Sequence, residues 1–559
     1  MQPFYQELLS ELRKDSVSRK HVQQVKKDVC MKFKRGKVPT NYEIMIHASK
    51  EDRPLLRQKL LGKPVRTISG VVPVAVMGKP IACAHGKCIY CPGGPGSIFG
   101  DVPQSYTGKE PASMRAVRNR FDSYLQVFNR LEQYALLGHD FNKVDLIIMG
   151  GTFPSFDIAY QDEFVIYAYK AMNDFSKLFF VNGEFDFDKF HEFFELPGEV
   201  NDPQRKQKIH EKLLELKGTA TLEDVQRENE TAIVRCIGLT IETKPDWGLL
   251  EHANQMLKLG CTRVELGVQH TDEEITRFTN RGHTIAQTKE SIQILKDLGF
   301  KLNFHMMPGL PGSSKEKDIA MMKEVISSSD YQPDMMKIYP CLVMPGTPLY
   351  ELYKRGQYKP IESDAAADII TEFKRDVPEW LRIMRVQRDI PTYRTKAGVN
   401  HTNFRQTVHA LMVEKGVVCK CIRCKEPMTS DVDFSGMDVK VREYDSSNGK
   451  EYFISFENEK TILGFCRMRF PSVSLRPEIT TSSALIRELH VYGQALALGD
   501  SGDVQHKGIG SRLLKKAEEI AIQNGKTCMV VIAGVGVKEY YRNKHDYYDV
   551  GPYVAKVLE

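Results

Sequence analysis

From about residue 64 the chain alternates between two kinds of apolar pattern. Short β-prone runs recur: "VRTISGVVPVAVM", "KVDLIIMGG", "AIVRCIGLTIE", "CTRVELGVQ", "FKLNFHMM", "DMMKIYP" and "LRIMRV". Longer segments with apolar residues at helical spacing separate most of them, such as "SMRAVRNRFDSYLQVFNRLEQYALLG" and "TIAQTKESIQILKDLG". Alternation of this kind means parallel strands joined by helical crossovers. About six or seven units predict a full or partial (β/α) barrel over residues 64–390, with its chemistry at the carboxyl ends of the strands. Residues 182–230, charged and poor in β-formers, read as an insertion. Residues 1–63 read as a separate basic helical segment, from "PFYQELLSELRKDSVSRKHVQQVKKDV" to "RPLLRQKLLGK". Residues 391–430 have no clear period.

A second α/β domain is predicted over residues 431–559, its pattern starting after the break at "SSNGK". "EYFISFENEKTILGFCRMRF" reads as a hairpin, and "ALIRELHVYG" and "CMVVIAGVGV" as strands. "HKGIGSRLLKKAEEIAIQNG" reads as a helix opened by glycines and closed at Asn524–Gly525. The fold class is α/β in both domains.

Composition adds little until charge is located. The net charge of +6 is uneven: residues 1–63 hold 15 Lys and Arg against 7 Asp and Glu. Lys374 to Arg405 holds eight basic residues against three acidic. A phosphate backbone selects such stretches, which makes Lys26, Lys27, Lys34, Arg35, Arg385 and Arg388 candidate nucleic-acid contacts. Solvated helix faces are the competing reading. No run of eighteen apolar residues occurs and the N-terminus has no apolar signal core, so no membrane association and a cytoplasmic location are expected. Of twelve cysteines, six are scattered and six form two tight clusters, a pattern of reduced thiols and metal ligands.

The first cluster is Cys83, Cys88 and Cys91 in "KPIACAHGKCIYCPGGPG". Three thiolates leave a tetrahedral zinc site one ligand short, with His85 the nearby donor, or leave one iron of a cubane open to a chelating substrate. The loop, followed by Gly-rich sequence and by "MGGTF", resembles the cluster loop of the radical S-adenosylmethionine (SAM) enzymes, with one more residue between the first two cysteines than is usual there. That resemblance implies a 4Fe-4S cluster and SAM, with Tyr90 near the adenine and Gly150 and Gly151 near the methionyl amino group.

The turn "QHKGIG" opens a helix, where free backbone N–H groups make a pyrophosphate cradle. With the strand before it and "KEYYRNKHDYYDV" after it, the order resembles the GCN5-related acetyltransferase fold. The implied acetyl-CoA contacts are Glu488, Leu489, His490 and Val491 on the strand and Gln505, Lys507, Gly508, Ile509 and Gly510 on the turn. Tyr540 and Tyr541 either face the thioester or are core aromatics. The second cluster, Cys419, Cys421 and Cys424, suggests structural zinc, with His409 or His401 as fourth ligand.

Taken in this order, with "IETKPDW", "HMMPGLPG" and "VQRDIP", the chain resembles the Elongator catalytic-subunit family. The resemblance implies radical transfer of a carboxymethyl group from acetyl-CoA to the wobble uridine of tRNA. It also implies the tRNA anticodon stem-loop as partner, and an electron donor that the sequence does not identify. A homodimer or accessory subunits are left open. Glu242 and Gln269 are then cofactor contacts, and Lys337 a contact to substrate phosphate or acetyl-CoA; structural hydrogen bonds at the barrel mouth are the alternative for each. His305 reads equally as a core histidine and stays outside the site. Two other functions remain: a lysine acetyltransferase with Glu488 as base and a structural iron–sulfur domain, or a tRNA-binding scaffold without turnover.

Overall fold

The computed structural model describes residues 2–49, 51–60, 70–199, 202–401, 403–427, 434–492 and 508–559. Its strands, in chain order, begin with β1 Val71–Met77, β2 Gly94–Ser97, β3 Gly100–Val102, β4 Lys143–Met149, β5 Phe180–Val181 and β6 Glu184–Phe185. Then come β7 Arg235–Thr243, β8 Cys261–Gln269, β9 Lys301–Met306, β10 Met335–Ile338 and β11 Arg382–Arg385. The last seven are β12 Asp438–Ser446, β13 Gly449–Glu457, β14 Ile462–Phe470, β15 Ser483–Val491, β16 Cys528–Val531, β17 Tyr548–Val550 and β18 Tyr553–Val557.

The chain forms two compact units. One comprises Met1–Val74, Asp122–Val144 and Phe164–Cys236. The basic N-terminal segment is thus part of a larger helical body that also contains the predicted insertion. Its helices Pro3–Arg13, Val22–Lys32, Asn41–His47 and Arg53–Leu60 bury Leu8, Leu9, Leu12, Ile44, Met45 and Leu56. The insertion folds as helices Phe187–Phe193, Pro203–Lys217 and Leu222–Thr231, around rings such as Phe175, Phe179, Phe190 and Phe194.

The other unit comprises Ala75–Phe121, Asp145–Glu163 and Ile237–Glu559. The first large sheet has the order β1-β4-β7-β8-β9-β10-β11, so each strand lies beside its sequence neighbour in that sheet and the two ends stay open: a partial barrel. From β7 to β11 every pairing is parallel. The apolar run of β8 is buried at eight of nine positions, as parallel strands covered on both faces are. The long helix suggested by "SMRAVRNRFDSYLQVF" is two helices, Pro111–Arg118 and Ser123–Leu137. Arg120 and Phe121 break it with φ of 55° and 58°, and the Asp122 carboxylate caps Leu125 N–H.

The second sheet has the order β12-β13-β14-β15-β16-β18-β17. Its first strand, β12, lies before the expected start of the pattern. "SSNG" is the β12–β13 hairpin turn, with Ser447 and Asn448 at φ of 46° and 61°, and not a boundary. Strands β12 to β15 are antiparallel, and β15 pairs with β16 in parallel only from Ser483 to Ile486.

The two sheets share a buried seam of charge. Arg487 Nη1 and Nη2 donate to the Asp334 carboxylate at 2.7 and 2.6 Å, and Nη1 also reaches Phe300 O at 2.9 Å. Arg469 donates to Asp297 at 2.7 Å and to Ser446 O at 2.7 Å. Glu451 accepts from Arg487 and Arg469, and Arg467 donates to Glu488 at 2.9 Å. Buried charges persist only when paired in this way.

Candidate functional site

The cysteine loop follows β1, where barrel chemistry is expected. Two tight turns shape it: Gly86 N–H donates to Cys83 O at 3.1 Å and Cys91 N–H to Cys88 O at 3.0 Å. Donors converge on the sulfurs. Arg281 Nη1 lies 3.3 Å from Cys88 Sγ and Ser105 N–H 3.2 Å from Cys91 Sγ. Gly282 has φ of 72°, and a Cβ there would lie 2.4 Å from His85 Cβ, so the chain carrying Arg281 approaches the loop only with glycine.

His85 does not behave as a zinc ligand. Its Nδ1 accepts from Lys244 Nζ at 2.9 Å, so the neutral ring carries its proton on Nε2, 3.4 Å from Cys88 Sγ. Metal on Nε2 would force a proton onto Nδ1, against the Lys244 ammonium. Burial, then Lys244 and Arg281, lower the His85 pKa to about 4. Burial and the neighbouring sulfurs push Cys83 up to about 11, and burial with Cys88 raises Cys91. A thiolate trio is stable here with a cation among the sulfurs, so the donor set fits a cluster. Among the described residues, these sulfurs are not one of the triads that close to within 4.8 Å, the spacing of a single ion. A cubane spreads its three thiolates over three irons.

Parallel register assembles the polar centre beside them. Glu242 is level with Glu265, and Glu265 with Asn303, while Lys337 is level with His305 two residues further along. Residues two apart share a face. Glu265 accepts from Asn303 Nδ2 at 3.2 Å, from His305 Nε2 at 2.9 Å and from the Lys337 ammonium. Glu242 accepts from Gly150 N–H at 3.4 Å and from Tyr106 Oη at 3.2 Å. Burial, then Glu265, pushes Glu242 up to about 7, whereas Lys337 and His305 overcome burial and hold Glu265 well below the usual carboxylate range. Gly150 and Gly151, at φ of 117° and 102°, turn the chain sharply after β4. Gln269 ends β8 in the left-handed region, φ 68°. Among the described residues, its Oε1 and the Tyr90 hydroxyl are buried without a hydrogen-bond partner, polar atoms left for a ligand.

Sequence reasoning thus reached Glu242, Lys337, Gly150, Gly151, Gln269 and Tyr90. It missed Glu265, Asn303 and Tyr106, and set His305 aside. The available signal was a carboxylate inside the apolar run "CTRVELGVQ", which burial makes costly unless it is paired.

At the second sheet, Arg487–Val491 of β15 extend past the last β16 pairing. The helix Ile509–Gln523 starts beside them, with Gly508 in the left-handed region, φ 71°. A Cβ on Gly510 would lie 3.1 Å from Tyr540 Oη, 3.7 Å from Val491 Cγ2 and 4.0 Å from Leu489 Cδ2. Tyr540 therefore stands at the helix entrance. Tyr541 is 4% exposed and packs with Cys466 and Tyr547 in the domain core, so its ring is structural. His490 is half-buried, its ring 5.5 Å from Phe465 and 4.4 Å from Tyr492. Gln505 and Lys507 lie outside the described residues. Glu488 is tied to Arg467 and faces Lys301 Nζ at 3.7 Å; against burial, Lys301 and Arg467 lower its pKa to about 2.

The sulfurs of Cys419, Cys421 and Cys424 all lie within 4.8 Å of one another. Their fourth neighbour is Lys374 Nζ, 3.3 Å from Cys419 Sγ and 3.8 Å from Cys424 Sγ. His409 is exposed on the helix Phe404–Glu414 and His401 is exposed on a loop; neither joins the group. Among the described residues, no histidine completes this group.

Among the basic candidates, Lys26 is 2% exposed, and its ammonium is consumed by Pro39 O at 3.0 Å and by Asn41. It tethers the turn after its own helix and cannot reach a phosphate. Lys27, Lys34 and Arg35 are exposed. Arg385 pairs with Asp389, and Arg388 donates to Ser105 O at 2.5 Å, with its guanidinium 5.9 Å from the Tyr339 ring centre.

Four family models match in succession: the ELP3 N-terminal domain over residues 1–68, the Radical SAM superfamily over 81–325, the Radical_SAM C-terminal domain over 333–414 and the Acetyltransferase (GNAT) family over 424–548. A tRNA uridine(34) acetyltransferase of Methanocaldococcus jannaschii is 43% identical, across 100% of this chain and 98% of that protein. An Elongator complex protein 3 of Drosophila melanogaster is 37% identical, across 99% and 96%. The solved structure of the archaeal Methanocaldococcus infernus Elp3 with N-terminus deletion (1-46) superposes with a TM-score of 0.71 at 38% identity, over 88% of this chain and 100% of that one. With that similarity running through both sheets, the chain belongs to the family of the archaeal tRNA uridine(34) acetyltransferases and Elongator complex protein 3.

Proposed function

We propose that the protein modifies the wobble uridine of tRNA by placing a carboxymethyl group on the ring carbon, with SAM and acetyl-CoA as co-substrates. Its full-length relatives are named for tRNA uridine(34) acetyltransfer and for Elongator. The observation that carries the finer reading is a pairing. One compact unit holds both a donor-supported trio of thiols at the mouth of parallel strands and a glycine-opened helix beside a splayed pair of strands. A uracil ring carbon and the methyl of a thioester have no easy polar route to each other. When bound, the cluster with SAM supplies one-electron chemistry, and acetyl-CoA supplies the two carbons.

The chain's own residues bind and orient. Cys83, Cys88 and Cys91 hold the cluster, with Arg281 and the Ser105 N–H supporting two of the sulfurs. Glu242, Gly150 and Gly151 take the methionyl end of SAM, Tyr90 lies along the adenine, and Gln269 offers its free oxygen. Lys337, kept charged by Glu265, steers an anionic group at the mouth. Gly508, Ile509 and Gly510 offer N–H groups to a pyrophosphate, with Leu489, Val491 and Tyr540 against the rest of acetyl-CoA. Cys419, Cys421 and Cys424 hold zinc.

The lysine-acetyltransferase alternative needs a base at β15. Glu488, with its pKa lowered to about 2 by two cations, has little affinity for a proton at neutral pH. The deciding experiment incubates reduced, oxygen-free protein with SAM, acetyl-CoA and tRNA, then digests the tRNA for mass analysis. Carboxymethyluridine at the wobble position is expected. Unmodified tRNA alongside acetylated lysine peptides would favour the alternative.

A further inference from the structure

Beyond the candidate cofactor contacts, a group of exposed and half-buried aromatic and basic side chains stands on the same face of the partial barrel. Two loops build it. The first is a short helical turn, Thr392–Arg394, after Pro391; Arg394 N–H donates to Pro391 O at 2.9 Å. It is lashed to the segment leaving β10: Val343 N–H donates to Ala397 O at 3.0 Å and Lys396 N–H to Val343 O at 2.9 Å. The second is the β2–β3 hairpin, which follows Cys91 directly in sequence. Ile98 at its tip rests on the same segment, where a Cβ on Gly346 would lie 2.9 Å from Ile98 Cγ1. Gly346 has φ of 72°, and Gly398, at φ of 105°, packs against Cys341 O. Neither loop is free to drift from the carboxyl ends of the strands.

Among the described residues, Tyr393 is the aromatic side chain that solvent reaches most, at 72%. The Arg394 guanidinium carbon lies 5.5 Å from the centre of the Tyr393 ring and 5.5 Å from that of Phe99. A guanidinium within reach of two rings, one of them open to solvent, places positive charge beside aromatic faces. Ile98 is 65% exposed beside it, and Lys396 is exposed. Arg388, six residues before Arg394, faces Tyr339, whose ring lies 5.3 Å from His305 in the polar centre.

We infer that Tyr393, Arg394 and Phe99 form a stacking clamp for an unpaired base of a single-stranded RNA loop. The inference rests on the tRNA reading above and deepens it. A base that is modified inside a protein must leave its stack, and the neighbours it abandons lose stacking too. Proteins replace that loss with aromatic rings and arginine planes, while lysine and arginine outside the clamp track phosphates. Ring faces and positive charge together suit a nucleobase with its phosphate better than an apolar peptide, which would leave the charges unused.

The test uses the full chain and an anticodon stem-loop RNA carrying 2-aminopurine next to the wobble position. Stacking quenches that fluorophore. Wild-type protein and Tyr393→Phe should bind and quench alike. Tyr393→Ala should lose about tenfold in affinity and most of the quenching, with an unchanged dependence on salt because no phosphate contact is removed. Tyr393 is exposed, so truncating it leaves the fold intact, which thermal unfolding checks. Wild-type affinity and quenching in Tyr393→Ala would overturn the clamp alone. A wild-type chain that binds neither the stem-loop nor whole tRNA would overturn the tRNA reading on which the clamp depends.

Discussion

Replacing Asp334 by asparagine keeps its shape and takes one charge out of the seam between the sheets. The carboxylate is fully buried. It accepts from Arg487 at 2.7 and 2.6 Å and from Leu302 N–H at 2.9 Å, with Arg467 Nη1 at 3.6 Å. Five cations, Lys296, Lys301, Arg467, Arg469 and Arg487, face four anions, Asp297, Asp334, Glu451 and Glu488. Asparagine leaves one positive charge uncompensated in a dry interior, and its amide group presents a donor where a guanidinium needs an acceptor. Breaking a buried pair from one side costs about 3–5 kcal/mol, against at most ~1 kcal/mol for an exposed one. The chain has two tryptophans, and Trp380 stacks on Tyr444 of β12 at 4.2 Å, so it reports this junction. In a Trp247→Phe background, urea unfolding followed by Trp380 fluorescence should lose at least ~3 kcal/mol on Asp334→Asn. A loss below ~1 kcal/mol would refute the reasoning. The pH dependence adds a sign. Burial raises the Asp334 pKa, but Arg487 and Arg467 outweigh it and hold the carboxyl well below its ordinary value. Its contribution is therefore present above about pH 4, the unfolded value, and is lost as pH falls towards the folded one. The Asn variant should lack that part of the acid transition.

Anaerobic protein should be brown, and Cys88→Ala should be colourless and unable to cleave SAM while keeping any zinc; SAM cleavage in that variant would remove the cluster assignment. Cys421→Ala should lose zinc, keep its colour and unfold more readily, and unchanged zinc by metal analysis would contradict the second site. Tyr540→Phe should slow tRNA-dependent hydrolysis of acetyl-CoA without weakening tRNA binding, whereas Tyr541→Ala should cost about 3–5 kcal/mol of stability as a buried ring is removed. Joint replacement of Lys27, Lys34 and Arg35 by alanine should weaken tRNA binding at least tenfold and lower the logarithmic salt slope by about two to three; an unchanged slope would show that these cations are only solvated.

Period and alternation made most strands legible. "CTRVELGVQ" is β8 residue for residue, and "KVDLIIM" is β4. The cysteine loop, the glycine pair after β4 and the Gly508 turn were legible because few residue types can do what they do. Three features were not. The β12 strand was hidden because only one edge of it is paired, and its burial alternates between exposed and half-buried positions without an apolar run. The break at Arg120–Phe121 depends on two non-glycine residues in the left-handed region, which no local propensity announces. The misplacement of Lys26 is the clearest case: composition counts a charge, and only tertiary packing decides whether that charge meets solvent or Pro39 O.

The seam also says what kind of two-domain enzyme this is. Strand β10 is four residues long, and both of its ends are committed. Asp334, just before it, grips Arg487 of β15; Lys337, within it, grips Glu265 at the mouth of the barrel. Arg487 is followed by Glu488, Leu489 and Val491, and the last two lie against the helix entrance at Gly510. Arg487 of β15 is thus paired to the residue that precedes the strand carrying Lys337. Loosely tethered modules would join at an exposed, polar interface; here the junction is dry, charged and paired on both sides. Cutting the chain before β12 would strip Asp297 and Asp334 of their arginines, leaving Lys296 as the barrel-side cation acting on Asp334. The cysteine loop and the Gly508 turn thus belong to one compact unit, and β10 and β15 join the two sheets that carry them through paired charge.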